Sequence, residues 1–284
     1  MRYDCIIIGS GPAGLSAAIN LKTYNKKFLW FGNANLSEKV QKAEKVVNYP
    51  GMPAVTGKEL AEAFLAHKES QELEIIDKIV TTIYDMDGYY TVMAENQFFE
   101  TDTIILAMGV VSANQYAGEA EFMGRGVSYC ATCDGALYKD KTIAVVCTAK
   151  RFEHEIDFLA DMAEKVYLFP FYKDCEISKE NVERVQKSIK QIKGGFRVEE
   201  LVLAGEEVLP VDGVFIMRNA IAPTTLLDKL EVVDGHINVN RQMETNVKGI
   251  YAAGDCTGKP YQYAKAVGEG NVAAHSVIEY LGEK

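Results

Sequence analysis

Residues 9–14 read Gly-Ser-Gly-Pro-Ala-Gly, directly after an unbroken apolar and β-rich run at 3–8. A helical pattern of alanines and aliphatics follows at 15–24, then a short strand pattern at 28–31. This is strand, tight glycine turn, helix, strand, and few folds accept it. Each glycine has its own task. Gly9 makes the turn, Gly11 lets the backbone approach a pyrophosphate, and Gly14 lets helix and strand pack closely. The helix N-terminus presents unpaired N–H groups to the phosphates. A glycine pattern of this kind is weak evidence alone, and a purely structural glycine turn is the competing reading. Its place between the first strand and the first helix favours a dinucleotide site formed by Gly9, Gly11, Pro12, Ala13 and Gly14.

At 284 residues the chain has room for about two domains, and a second strand–helix–strand pattern occurs at 141–147, 151–163 and 165–169. Strand patterns at 198–203 and 214–217 are expected to complete its sheet. The first unit adds a helix at 58–68 and strands at 74–83, 89–93 and 103–107, the last running into Met108 and Gly109. Gly109 joins the candidate cofactor set. The pattern breaks around 110–126, as at a domain boundary. A short strand at 249–254 ends at Asp255, and a helix rich in small residues follows at 264–280.

The net charge of −10 argues against nucleic acid as a partner. Six cysteines are too few for a secreted disulfide scaffold. No apolar run nears the ~18 residues of a membrane helix, and the strand at the start leaves no expected signal peptide. The chain is therefore expected in the reducing cytoplasm, where a disulfide is catalytic or redox-linked.

Cys130 and Cys133 lie in Cys-Ala-Thr-Cys-Asp-Gly. Three readings compete. Zinc needs about four ligands, and Cys5, Cys147, Cys175 and Cys256 are scattered, with no second Cys-x-x-Cys. Inert buried thiols are the second reading, which suits Cys5 and Cys147 in strand patterns better. A redox pair is the third; the spacing permits a small disulfide loop, and an adjacent helix N-terminus stabilises a thiolate. Asp134 is one residue from the second thiol, close enough to hand over a proton, though it also suits a turn before Gly135. His67, His154, His236 and His275 form no constellation.

With GSGPAG at 9–14, VNYPG at 47–51, CATCDG at 130–135 and GIYAAGD at 249–255, the chain resembles the low-molecular-weight thioredoxin reductases over essentially its whole length. The resemblance implies an α/β fold class, with two Rossmann-like three-layer domains of the nucleotide-binding type. A discontinuous FAD domain would comprise 1–112 and 244–284, with 113–243 inserted as the Cys-x-x-Cys domain. It implies FAD, a homodimer, thioredoxin as acceptor, and a domain swing that shuttles the dithiol. It places Asn48, Asp255, Gln262, Tyr263 and Ala264 at the flavin beside the glycine loop. It also assigns Cys133 the flavin-facing charge-transfer position, Cys130 the attack on thioredoxin, and Asp134 the proton relay.

One family feature is missing. A second glycine loop should follow the first strand of the inserted domain, and Cys147, Thr148 and Ala149 stand there instead. Side chains at those positions obstruct approach to a pyrophosphate. The next strand end, 168–174, offers only Lys173 where basic residues should hold the 2′-phosphate of NADPH. This departure resembles the NADPH-independent branch fed by reduced ferredoxin. Ferredoxins near roughly −400 mV and thioredoxin near about −270 mV leave a gap of about 130 mV, or about 6 kcal/mol for two electrons. An acidic ferredoxin would need a local basic patch, for which Lys39, Lys42 and Lys45 are candidates, although a solvated helix face explains them as well. The alternatives are an NADPH-dependent reductase with an atypical loop, an FAD-dependent dithiol oxidase, and a protein that merely retains FAD.

Overall fold

The computed structural model describes residues 1–41, 43–109, 116–129, 131–218 and 222–283. The chain divides into one unit of Met1–Ser112 with Ala222–Lys284, and a second of Ala113–Ile221. Residues 222–243 thus pack with the first unit, 22 residues earlier than the expected return at 244. The reason is local: the helix Pro223–Leu226 and the hairpin Val232–Val233 with His236–Ile237 belong to that body.

The first unit starts with β1 (Arg2–Ile8), α1 (Pro12–Thr23) and β2 (Phe28–Phe31). A single helical turn, α2 (Glu38–Gln41), precedes α3 (Gly57–Ser70). Thr56 and Glu59 form a reciprocal capping box that starts α3, with Glu59 N–H donating to Thr56 Oγ1 at 3.2 Å and Thr56 N–H to Glu59 Oε2 at 2.7 Å. Such caps contribute about 1 kcal/mol. Strands β3 (Val80–Asp85), β4 (Tyr90–Ala94) and β5 (Gln97–Leu106) follow. The strand expected at 74–83 begins only at Val80. The strand expected at 103–107 extends back to Gln97 because it has two pairing jobs. One edge of β5 runs parallel to β1 over Glu100–Leu106, while its other edge takes β4 antiparallel at its start.

In the second unit, β6 (Val127–Ser128), the short helix α4 (Ala131–Asp134), β7 (Thr142–Cys147), α5 (Glu153–Met162), β8 (Lys165–Pro170) and β9 (Val182–Arg184) come first. Next are β10 (Ile189–Gly194), β11 (Val198–Leu203), β12 (Val208–Pro210) and β13 (Gly213–Met217). The parallel sheet has the order β6-β13-β7-β8-β9. The expectation that residues 198–203 complete this sheet is corrected: β11 is the centre of a separate antiparallel sheet, β10-β11-β12. Its own neighbours decide this. Lys190, Lys193, Glu199, Glu206 and Glu207 punctuate the three strands and turns, and alternating polar residues suit a sheet with one wet face rather than a parallel sheet covered on both. Residues 214–217 do join the parallel sheet, beside β7.

After α6 (Pro223–Leu226) and the hairpin β14 (Val232–Val233) and β15 (His236–Ile237), β16 (Ile250–Ala252) pairs parallel with the late half of β5. Helix α7 (Tyr263–Gly282) closes the chain. It lies on α1 at very short range: a Cβ on Gly270 would sit 2.1 Å from the Ala13 carbonyl oxygen. Cys5, Ile7, Leu21, Trp30, Ile105, Tyr251, Ala273 and Val277 form the core beneath. The ends of β1 and β16 meet because both pair with the end of β5, Ile8 and Ala252 each opposite Leu106. Among the described residues no helix is long and apolar enough to cross a membrane.

Candidate functional site

The glycine loop between β1 and α1 divides its labour as the sequence suggests. Gly9 has φ of +114°, and a Cβ there would lie 2.2 Å from the Ala107 carbonyl oxygen. A Cβ on Gly14 would lie 2.0 Å from the Gly9 carbonyl oxygen. A Cβ on Gly11 meets nothing within 4 Å. Two glycines therefore permit packing inside the protein, while Gly11 faces open space at the start of α1. Pro12 and Ala13 occupy the first helical positions, and Ala13 is buried. The Trp30 indole donates to the Gly9 carbonyl at 2.9 Å and so pins the loop. Sequence reasoning missed Trp30, whose only signal was being the one tryptophan, set at the end of β2.

A shallow cleft opens beside the loop, lined by Ser10, Gly11, Pro12, Leu15, Val40 and Phe64 among others. Residues far apart in sequence converge nearby. The Asn48 amide donates to Gln262 Oε1 at 2.6 Å across 214 positions. Tyr263 packs on the cluster of Val40, Val46 and Leu60, and burial, then the charge of Asp255, pushes its hydroxyl pKa up. Ala264 is half-buried in the first turn of α7. Asp255 opens a three-residue turn, Asp255–Thr257, rather than capping α7, whose N-cap is Gln262. Gly109 has φ of +70° with open space around it. The donor set fits a dinucleotide: an open glycine at a helix N-terminus, an acid at a strand end, and a second helix N-terminus behind it.

The dithiol segment lies in the second unit. Cys130 and the side chain of Cys133 are outside the described residues, as are Lys42 and the side chain of Lys39. The backbone of α4 begins at Ala131, so Cys133 belongs to a first helical turn, where a thiolate is favoured. Asp134 is half-buried at its end. Gly135 lets the segment approach α5, since a Cβ there would lie 3.0 Å from the Phe158 ring. Three of the other thiols, Cys5, Cys147 and Cys256, are buried, and burial keeps them protonated. Burial pushes Cys5 up to about 12, and Cys147 and Cys256 up to about 11.

Ahead of Cys130 stands a buried cluster that the sequence did not announce. Glu119 has no exposed surface. It accepts from the Tyr129 hydroxyl at 2.5 Å and from the Tyr116 N–H at 3.0 Å, and it pairs with Arg218 at the end of β13. The guanidinium also stands 5.5 Å from the Tyr129 ring centroid.

The end of β7 is where this fold would hold a second dinucleotide. There, Thr148 donates to the Met217 carbonyl through both its N–H, at 2.9 Å, and its hydroxyl, at 3.2 Å. The first turn of α5 carries Glu153 and Glu155. Glu153 Oε1 accepts from the Tyr172 hydroxyl at 2.8 Å and from the Glu176 N–H at 3.0 Å. Burial alone would raise the Glu153 carboxyl pKa, but these hydrogen bonds and Lys150 outweigh it and hold it below the usual carboxylate range. Tyr172 also reaches Cys175 Sγ at 3.2 Å, and Lys150 pairs with Glu176 at 2.5 Å. A fixed carboxylate thus stands in the first turn of α5, near where a pyrophosphate would bind, and like charges repel.

Fold and site together define a two-unit dinucleotide-fold disulphide oxidoreductase, with one open glycine loop and one whose glycine positions carry side chains. The family model "Pyridine nucleotide-disulphide oxidoreductase" matches residues 3–148 and 174–270. The thioredoxin reductase of Aquifex aeolicus (strain VF5) is 32% identical, covering 99% of this chain and 94% of that protein. Two crystal structures of a ferredoxin-flavin thioredoxin reductase from Clostridium acetobutylicum superpose with TM-scores of 0.92 and 0.89, at 43% and 47% identity. Each covers 100% of this chain, and the matches span 98% and 99% of those chains. The chain belongs to the pyridine nucleotide-disulphide oxidoreductases, and among them to the low-molecular-weight thioredoxin reductases. FAD is the cofactor this membership brings, and the first unit fits it.

Proposed function

We propose that this chain is a flavin-dependent thioredoxin-disulfide reductase that draws its electrons from reduced ferredoxin and not from NADPH. The observation that carries the choice of donor is Glu153, fixed in the first turn of α5 by Tyr172 and Glu176, near where a nucleotide phosphate would lie. The likeness to the ferredoxin-flavin enzymes of C. acetobutylicum supports the same reading. FAD, when bound, accepts electrons singly and releases them as a pair.

The chain's own residues do the rest. Gly11 and the first turn of α1 hold the pyrophosphate, and Asp255 accepts from the ribitol hydroxyls; Asn48, Gln262, Tyr263, Ala264 and Gly109 complete the enclosure. The Cys130–Cys133 disulfide takes up two electrons and two protons to become two thiols. Cys130, as the thiolate, attacks the thioredoxin disulfide and forms a mixed disulfide. Cys133 then breaks that bond, restoring the internal disulfide and releasing reduced thioredoxin. Asp134 transfers the proton that each exchange requires. The inserted dithiol module is the unit of residues 113–221 and not the expected 113–243, the working form is a homodimer, and the place of action is the cytoplasm.

An anaerobic titration followed at the flavin absorption band tests the donor. Negligible bleaching is expected with NADPH or NADH at roughly micromolar to millimolar levels, where working sites saturate. Reduced ferredoxin should bleach the flavin and, with thioredoxin present, release thiols catalytically. Stoichiometric bleaching by NADPH would overturn the reading. Failure of ferredoxin together with rapid oxygen uptake on a small dithiol would replace it with an oxidase.

A further inference from the structure

The turn that carries Asp255 has little stiffness of its own. It is three residues long, with Gly254 and Gly258 on either side at φ of +89° and +124°. What holds it is Lys265, the third residue of α7. A cation has the wrong sign for the first turn of a helix, where unpaired N–H groups carry positive charge. Lys265 is nonetheless turned inward, with its side chain only 17% exposed. Its ammonium donates to the Gly254 carbonyl at 2.8 Å, the Gly258 carbonyl at 2.7 Å and Thr257 Oγ1 at 3.0 Å.

Glu269, one helical turn further on, lies 3.1 Å from the same ammonium. Its Oε2 accepts from the Gly254 N–H at 2.8 Å and from the Thr257 hydroxyl at 2.9 Å. The pair therefore holds both the amide and the carbonyl of Gly254, and the ammonium holds the far end at Gly258. Gly254 also abuts the cofactor loop, since a Cβ there would lie 3.0 Å from that of Ala13. Two acids, Asp255 and Glu269, belong to this corner, and Lys265 is the cation among them.

We propose that Lys265 is a positioning residue for the bound flavin: with Glu269 it fixes the Asp255 turn, and its charge offsets the two acids there. The inference rests on the FAD reading above. A flavin gains negative charge on reduction, and a cation beside it favours the reduced form, as it favours any anion. Carboxylates left without that cation oppose reduction.

The test uses the full-length holoprotein and its Lys265→Met, Lys265→Arg and Lys265→Met/Glu269→Gln variants. Two quantities are read: FAD affinity on reconstitution of the apoprotein, and the flavin midpoint potential at saturating FAD by dye equilibration. Lys265→Met should bind FAD at least tenfold more weakly. Its reduction equilibrium should shift about tenfold toward the oxidised form, which is about 30 mV for two electrons. Lys265→Arg should keep the parental potential. The double variant, which loses an acid along with the cation, should recover most of the potential without recovering the affinity. Weaker binding with an unmoved potential in Lys265→Met would overturn the proposal, since a purely structural brace predicts that result. Parental affinity and potential would overturn it as well. If Lys265→Met does not fold, the double variant decides: parental affinity there overturns the proposal. A parent chain that takes up no FAD overturns the flavin reading and this inference with it.

Discussion

Gly11→Ala and Gly14→Ala differ by three positions and should separate cofactor binding from folding. Gly11 is the N-cap of α1 with φ of −77°, a conformation open to alanine, and its new methyl meets no protein atom within 4 Å. The apoprotein should lose no more than about 1 kcal/mol, the scale of an N-cap change. The methyl does enter the space a pyrophosphate must use. Displacing one charge-assisted hydrogen bond costs about 1.5–3 kcal/mol, which weakens FAD binding by roughly tenfold to more than a hundredfold. At Gly14 the methyl would lie 2.0 Å from the Gly9 carbonyl oxygen and 3.2 Å from Trp30 Nε1, inside the hydrogen bond that pins the loop. Neither neighbour is a flexible side-chain end, so overpacking should cost about 1–3 kcal/mol or more. That lowers the apoprotein melting temperature by roughly 2–4 °C per kcal/mol in a unit of this size. Thermal denaturation of the apoprotein and FAD titration by fluorescence quenching measure the two effects. Parental FAD affinity in Gly11→Ala, or an unchanged apoprotein melting temperature in Gly14→Ala, would refute the division of labour argued here.

Cys130→Ser and Cys133→Ser should each abolish thioredoxin reduction, with the perturbed flavin absorption of a thiolate contact surviving only in Cys130→Ser; full turnover in either variant removes the dithiol assignment. Glu119→Ala strands the Arg218 guanidinium in a buried site, so urea unfolding should show a loss of about 3–5 kcal/mol, while Glu119→Gln/Arg218→Met, which removes both charges, should recover most of it. In the reduced native protein at pH 8, Cys5, Cys147 and Cys256 should resist iodoacetamide, as mass spectrometry of the peptides would show, because burial keeps them protonated. The same shifts fix a sign. Burial raises the pKa values of these thiols from their ordinary value of 9.0 to about 11 or 12. The unfolded chain therefore releases their protons first, and the stability they contribute is full below about pH 8.5. It should fall as pH climbs toward 11; replacing all three by alanine should flatten that part of a stability–pH curve.

The glycine loop was legible in the sequence because its chemistry is local. Gly14 answers to the Gly9 carbonyl oxygen five residues before it, so type, spacing and the flanking strand and helix patterns carry the message, although the Ala107 carbonyl that crowds Gly9 comes from a distant strand. The loss of the second nucleotide loop was legible for the same reason, since Cys147, Thr148 and Ala149 announce side chains where backbone must approach a phosphate. What replaced the nucleotide was not legible. Glu153 is one acid among 40 Asp and Glu residues, and only folding brings Tyr172 and Glu176 onto it. The misplacement of residues 198–203 has a related origin: an apolar strand pattern does not state its partner, and the polar flanks of β10 and β12 decided it. Asn48 meeting Gln262, Glu119 meeting Arg218, and the grip of Lys265 and Glu269 on the Asp255 turn are likewise the work of tertiary structure. Periodicity and glycine spacing report on a residue's own few neighbours. A buried charge is kept or lost according to partners that the chain path brings from elsewhere: Tyr172 is 19 positions from Glu153, and Arg218 is 99 from Glu119.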